Sequence, residues 1–277
     1  MWWPRLGALR FVDMYAGVIC TLDRHGRVTR KATGSSIAAF LRPRAEGGAV
    51  VATERGLAVA SRDDLADLQP WGALFADARQ RFNDGGCSPA GHLYAGTRGY
   101  RDDEGIAMLY RIDSGEATGR PVLTGLTASN GLGWSPDGST FYLTDSGPAV
   151  TYAFDYSPDQ SIRNQRVFVK TPLESGRPDG LTVDAEGGVW LALKGTGRLV
   201  RYDDTGRLTQ VIQLPGVTRV TSCTFGGPDL KTLFITVSRE KVPDDEQPAA
   251  GAIWAVEPGV AGLPVLPFRG ELPRHYA

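Results

Sequence analysis

The amino-acid sequence predicts an all-β protein, a six-bladed β-propeller of four-stranded blades forming a single domain over residues 1–277. Three observations carry the prediction. A turn-and-strand unit recurs six times, the units are spaced by about 45 residues, and no long amphipathic helix interrupts the series. Each unit is a turn, a glycine or its equivalent, and a short β-rich run.

The units run WPRLGALRFVD (3–13), RPRAEGGAVVAT (42–53), SPAGHLYAGT (88–97), SPDGSTFYLTD (135–145), DAEGGVWLAL (184–193) and GPDLKTLFITV (227–237). Their turn anchors are Pro4, Pro43, Pro89, Pro136, Ala185 and Pro228, separated by 39, 46, 47, 49 and 43 residues. The strands after three of these turns, at 91–97, 138–145 and 187–193, are expected to be the inner ones. Between the turns, GVICTLDRHGRVTRKA (17–32) alternates across a DRHG turn. AMLYRIDSGEATGRPVL (107–123), RLVRYDDTGRLTQVIQL (198–214) and AIWAVEPGVAGLPVL (252–266) read as outer hairpins. LADLQPWGALFADARQ (65–80) has some helical spacing, but Pro70 and Gly72 interrupt it. A pair of β-sandwiches is the competing architecture, and six evenly phased units argue against it.

Composition narrows the function. The chain is 42% hydrophobic and 22% charged with a net charge of −1, which offers no electrostatic footprint for nucleic acid or an anionic membrane. No stretch approaches the ~18 apolar residues of a membrane helix, and the first fifteen residues have no signal-peptide layout. Cys20, Cys87 and Cys223 are too few and too scattered for a disulfide framework or a CxxC motif, so buried reduced thiols in a cytoplasmic protein are expected. His25, His92 and His275 lie in turn or tail contexts and read as surface residues. With no GxSxG elbow there is little material for a Ser-His-Asp or Cys-His machine. There is no GxxxxGK[ST] loop, and GTGR (195–198) reads as a hairpin turn.

Three polar residues share one phase of the repeat. Asn83, Asn130 and Asp179 stand six residues before Pro89, Pro136 and Ala185, and eight before Gly91, Gly138 and Gly187. Equal phase means equivalent positions in different blades, just before or on the innermost strand, so the side chains are expected to converge near one end of the channel. The same residues sit in Asn83-Asp84-Gly85, Asn130-Gly131 and Asp179-Gly180, which are also strong turn sequences. Carboxylate and amide oxygens suit hard divalent cations, and zinc accepts them too. Arg81, two before Asn83, either points into the same channel mouth or is a surface arginine.

At these residues the sequence resembles a known family. RFNDGGCSPAGHLYAGT, SNGLGWSPDGSTFYLTDS, RPDGLTVDAEGGVWLAL and TSCTFGGPDLKTLFITVSR are similar to segments of the SMP-30/gluconolactonase/luciferin-regenerating-enzyme family. The likeness extends over nearly the whole chain. It implies a six-bladed propeller with one divalent metal, commonly Ca2+ or Zn2+ with Mg2+ or Mn2+ as further options, and hydrolysis of sugar lactones to aldonic acids. By motif, Asn130 and Asp179 match the family's amide and carboxylate ligands, Asp179 its candidate general base, and Arg81 and Asn83 its substrate-contacting pair.

One departure stands out. The family carries Glu-Gly-Pro-x-Trp near its start, whose glutamate is a third ligand, whereas Met1-Trp2-Trp3-Pro4-Arg5 begins inside that motif. Eight residues before Gly7 falls at −1, just off the chain. Either the start is set too far downstream or the ligand is lost. Glu46 and Glu54 stand at other phases. The blade of residues 222–266 is therefore expected to lack a strand or to be patched by the tail ELPRHYA.

The resemblance implies metal-assisted ester hydrolysis, with Asp179 taking a proton from water and Arg81 and Asn83 holding the sugar. Asp103 or Glu104 is expected to add a substrate contact, and Trp134, Trp190 and Trp254 to pack between blades. A monomer or weak dimer acting on a small sugar lactone, with no nucleic-acid or membrane partner, completes the expectation. The alternative is a non-catalytic propeller that binds metal or a sugar acid, which the absent glutamate favours. A WD40-like interaction propeller lacks its Trp-Asp signature.

Overall fold

Turn chemistry punctuates the chain where the repeat puts its acidic and glycine residues. Asp23, Asp184 and Asp203 each accept the backbone N–H two residues on, from His25, Glu186 and Thr205, at 2.8, 3.0 and 3.1 Å. The glycine that follows takes the left-handed conformation these turns need, with φ 79° at Gly26. Between such turns the β-rich runs pair as hairpins. The computed structural model describes residues 1–101, 103–113, 119–243 and 245–271.

The described strands form six successive antiparallel sheets in two compact units, Met1–Ser129 with the chain from Val265 onward, and Asn130–Pro264. The first unit holds β1 (Trp2–Trp3), β2 (Ala8–Asp13), β3 (Val18–Leu22) and β4 (Val28–Ala32) in one sheet. Its second sheet is β5 (Phe40–Pro43), β6 (Ala49–Ala52), β7 (Gly56–Ala60) and β8 (Gln69–Ala73). Its third is β9 (Gln80–Cys87), β10 (Leu93–Gly99), β11 (Ala107–Ile112) and β12 (Gly119–Leu126). The second unit holds β13 (Ser129–Trp134), β14 (Thr140–Asp145), β15 (Val150–Tyr156) and β16 (Ile162–Lys170), then β17 (Arg177–Val183), β18 (Val189–Lys194), β19 (Arg198–Tyr202) and β20 (Leu208–Gln213). Its last sheet is β21 (Val220–Gly226), β22 (Thr232–Val237) and β23 (Ile253–Val256). These sheets are the blades of a six-bladed β-propeller. Among the described residues the only helices are three 3-10 turns, and none is long and apolar enough to cross a membrane.

Within each unit the sheets stack face to face on apolar layers. In the first, Trp3, Ile19, Leu41, Val51 and Ala58 fill one layer, and Phe40, Val50, Phe82, Leu93 and Phe268 fill the next. In the second, Tyr142, Ala153, Leu181 and Leu191 fill one, and Trp190, Leu199, Phe225 and Ile235 the other. The three cysteines are buried and none is in a disulfide, with Cys87 and Cys223 in these layers. Phe268 anchors the returning chain, its N–H donating to Pro43 O at 2.8 Å while its carbonyl accepts from Ala45 N at 2.9 Å.

The predicted hairpins over 17–32 and 198–214 form as β3–β4 and β19–β20, and GTGR turns between β18 and β19. Residues 65–80 contribute β8 and no helix. Residues 252–266 give one strand, β23, so the last sheet has three strands among the described residues. The tail ELPRHYA lies outside the described residues beyond Glu271, and Phe268 just before it packs in the first unit.

One expectation is corrected. The runs 91–97, 138–145 and 187–193 fall on β10, β14 and β18, which are the second strands of their sheets. The first strands are β9, β13 and β17, and they carry the polar residues themselves. The Asn-Gly and Asp-Gly pairs are thus strand residues rather than turns. The reason is steric. A β-carbon on Gly131 would come within 2.6 Å of the Gly180 carbonyl carbon and 2.8 Å of the Asp179 oxygen. One on Gly180 would meet Ser222 Oγ at 2.5 Å. Glycine lets β13, β17 and β21 approach this closely. Gly131→Ala is therefore expected to cost about 3 kcal/mol or more, since the backbone facing it cannot move aside. Urea unfolding checks this against Gly216→Ala, where the added carbon meets open space and only the backbone conformation is strained.

Candidate functional site

β-Bulges aim the phase-matched side chains. On β9, Phe82 pairs with Thr97 and Gly85 with Ala95, so Asn83 and Asp84 face Gly96 alone. On β17, Pro178 pairs with Leu193 and Leu181 with Leu191, so Asp179 and Gly180 face Ala192 alone. Such an insertion turns side chains out of the regular alternation, and bulges recur beside functional sites.

In the second unit, Asn130 and Asp179 are linked through Ser146. The Asn130 side chain is buried, with Nδ2 donating to Ser146 Oγ at 3.0 Å. Ser146 Oγ donates in turn to the Pro178 carbonyl at 2.6 Å, one residue before Asp179. Arg177 Nη1 donates to the Ser146 carbonyl at 3.3 Å, so the end of β14 and the start of β17 are tied twice. Asp179 is half-buried. Asn130 Oδ1 has no hydrogen-bond partner among the described residues.

In the first unit, Arg81 and Asn83 are brought into direct contact. Arg81 Nη1 donates to Asn83 Oδ1 at 3.0 Å and to Phe82 O at 2.8 Å, and Nη2 donates to Tyr15 Oη at 3.1 Å. Asn83 Nδ2 donates to Ser129 O at 3.0 Å. Arg81 is 2% exposed and forms no ion pair with a described residue. Burial pulls its guanidinium below the usual range, opposed by Tyr15 and reinforced by the like charge of Arg98. The surface reading of Arg81 is thereby excluded.

Sequence reasoning missed the aromatic groups near Arg81. Tyr15 is 55% exposed and lies against the guanidinium, 5.4 Å from ring centre to Arg81 Cζ. Tyr100, also exposed, donates its hydroxyl to Glu54 Oε1 at 2.5 Å, and partial burial with that bond pushes the phenol up to about 12. Neither tyrosine falls on the phase that singled out Asn83. Asp103 and Glu104 are exposed, and Asp103 acts electrostatically on exposed Arg79. Among the described residues no hydrogen bond or ion pair joins them to Arg81.

The histidines divide. His25 is an exposed turn residue as expected. His92 is not a free surface residue: its Nδ1 lies 2.8 Å from Asp113 Oδ1, and burial lowers its pKa. His275 lies outside the described residues. The tryptophans were expected to pack between blades, and Phe141 and Tyr156, ring partners of Trp134, lie in its own sheet. Trp190 is fully buried with Nε1 on Asp184 Oδ2 at 2.8 Å, Trp134 packs tilted against Phe141, and Trp254 is partly buried in the last layer.

Whether these residues fit a cation is decided by donor chemistry. Among the described residues no three His, Cys, Asp or Glu side chains cluster, so a thiolate or imidazole cage is not on offer. What is on offer is oxygen: the uncommitted Asn130 Oδ1 and the carboxylate of Asp179. Two hard oxygens with water completing the shell fit a divalent cation of the calcium class.

Sequence comparison matches residues 1–239 to the SMP-30/Gluconolactonase/LRE-like region. The chain belongs to this family. Among its relatives, regucalcin of Bos taurus is 31% identical over 98% of this chain and 93% of its own. YvrE of Bacillus subtilis, whose name proposes a sugar lactone lactonase, is 28% identical over 98% and 94%. A crystal structure from Agrobacterium tumefaciens, described as a calcium-binding protein, regucalcin, superposes with a TM-score of 0.89 at 26% identity, covering 97% of this chain and 92% of that one.

The hydrogen bonds of Asn83 generate a stability prediction. Asn83→Ala removes one acceptor from the buried Arg81 and strands the Ser129 carbonyl. The expected loss is about 1–2 kcal/mol, the scale for a buried hydrogen-bond group left unpaired. Urea unfolding at constant m-value measures it.

Proposed function

We propose that this protein hydrolyses sugar lactones to the open hydroxy acids, using Asp179 as general base and Asn130 and Asp179 as ligands of one divalent cation. The observation that carries this reading is the Asn130 amide, buried and held by Nδ2 with its oxygen uncommitted, on the strand pressed against the one that bears Asp179. Family membership supports lactone chemistry in general. When bound, the cation would supply Lewis-acid polarisation of the lactone carbonyl, with Ca2+ favoured by what the Agrobacterium tumefaciens structure is described as binding. Zn2+, Mg2+ and Mn2+ are the other candidates for the oxygen pair.

The chain's own groups carry the rest. Asp179 accepts a proton from the water that attacks the carbonyl carbon. The acyl C–O bond then breaks and the ring oxygen leaves as a hydroxyl after taking back a proton, so water and lactone balance to hydroxy acid. Arg81 donates to the substrate's hydroxyls or to the carboxylate that forms. Its missing ion pair leaves that charge available, and Asn83 orients it. Asp103 and Glu104 keep a lesser part, as exposed groups able to reach a substrate only at its periphery.

A second reading, a non-catalytic propeller that binds metal or a sugar acid, is favoured by one observation, that no three His, Cys, Asp or Glu side chains cluster among the described residues. An aldonolactone panel assayed by acid release, with and without chelator, separates the two. Chelator-sensitive hydrolysis is expected, and metal binding with no acid release from any lactone would establish the binder. Asp179→Asn keeps the shape but removes the charge and the base. It should lower the rate at saturating metal at least ~10²-fold, the scale of general-base loss. Undiminished turnover would remove Asp179 from the mechanism.

A further inference from the structure

The orientation of the Asn130 amide is set by a hydroxyl that the repeat phase does not single out, the last residue of the segment SNGLGWSPDGSTFYLTDS. Ser146 has one proton to give. The Pro178 carbonyl, which can only accept, takes it at 2.6 Å. Toward Asn130 the hydroxyl is therefore an acceptor, and the amide must present Nδ2, at 3.0 Å. That choice fixes which end of the amide faces the other way: it is Oδ1, the end a cation requires. Both residues are 6% exposed, so little water is at hand to take over if the hydroxyl is removed. The Ser146 backbone is itself held by Arg177 Nη1 at 3.3 Å. One serine thus sets the amide on β13 and grips the backbone next to Asp179 on β17.

We infer that Ser146 is a positioning residue for the cation site, holding Asn130 with its oxygen presented and coupling that oxygen to the Asp179 segment. The inference rests on the reading of Asn130 and Asp179 as ligands. Without the hydroxyl, the amide is free to rotate by half a turn and offer Nδ2, which cannot ligate a cation. Residues that orient a ligand in this way typically account for about 10- to 100-fold in metal affinity.

Calorimetric titration with Ca2+ of the full chain tests this, with thermal melts of every variant and all titrations run well below the lowest melting temperature. Ser146→Ala is expected to weaken Ca2+ binding about 10- to 100-fold. Ser146→Thr, which keeps the hydroxyl, should retain affinity within about threefold, a rescue that a merely space-filling role of Ser146 would not produce. In the Asn130→Ala background, Ser146→Ala should change affinity no further, because the amide it positions is gone. This arm stands even if the threonine methyl is not accommodated. Wild-type affinity in Ser146→Ala, or the same loss with and without Asn130, overturns the positioning role while leaving the ligand assignment intact. Absence of Ca2+ binding by the wild type, or equal binding by wild type and Asn130→Ala, overturns the ligand assignment and the inference with it.

Discussion

Neighbouring first strands in the second unit approach until a β-carbon has no room between them, and the arrangement of the candidate ligands depends on that approach. Gly131 lies against the Asp179–Leu181 backbone and Gly180 against Thr221 and Ser222. The residue preceding each glycine is Asn130 or Asp179. Because the backbones are in contact, the side chains one residue back are brought to neighbouring positions without any loop having to place them. Rigid strands position such groups more tightly than loops do. The bulge at Asp179-Gly180 completes the arrangement by turning the carboxylate out of the sheet's alternation. A fold built of nearly identical sheets needs such a local irregularity to make one face differ from the rest.

Equal phase does not mean equal chemistry, and the two asparagines show why. Asn83 accepts from Arg81 and donates to Ser129 O, so both ends of its amide serve the protein. Asn130 donates to Ser146 and leaves its oxygen unspent. The first is suited to hold an arginine in place, the second to hold a cation. The difference lies outside the asparagines, in an arginine two residues upstream in one case and a serine sixteen residues downstream in the other.

That distinction also marks how far the sequence could be read. The period of about 45 residues, the turn anchors and the outer hairpins were legible because turn chemistry is local: Asp23, Asp184 and Asp203 close their turns within a few residues. The phase of Asn83, Asn130 and Asp179 was legible for the same reason. Their strand conformation was not, since Asn-Gly and Asp-Gly favour turns and only the close approach of another strand forces them to extend. Ser146 and Tyr15 were silent because their partners lie 16 and 66 residues away, at separations the repeat does not encode, and Tyr100, one repeat from Glu54, was silent because neither residue stands at the phase that singled out Asn83. His92 was misread on the same ground, its partner Asp113 standing on a later strand's end.

Saturation of hydrogen-bonding capacity sets Asp184 apart from Arg81 and Asn130. Asp184, fully buried, accepts from Glu186 N, Gly188 N, Trp190 Nε1 and two nitrogens of Arg201, at 2.7 to 3.2 Å. Nothing is left over for a ligand, and its charge is matched by the arginine it holds. Arg81 is nearly as buried, yet it forms no ion pair with a described residue, and Asn130 keeps its oxygen unpartnered. A buried polar group left short of partners costs about 1–3 kcal/mol, more when it is charged. A fold gains nothing in stability from such vacancies. Trp71 also leaves a buried N–H unpartnered, but it sits in an apolar layer of the first unit. Arg81 and Asn130 each lie on the first strand of a sheet, Asn130 at the shared phase of the repeat and Arg81 two residues before it, and each has unmet capacity of the kind a sugar hydroxyl, a carboxylate or a cation would fill.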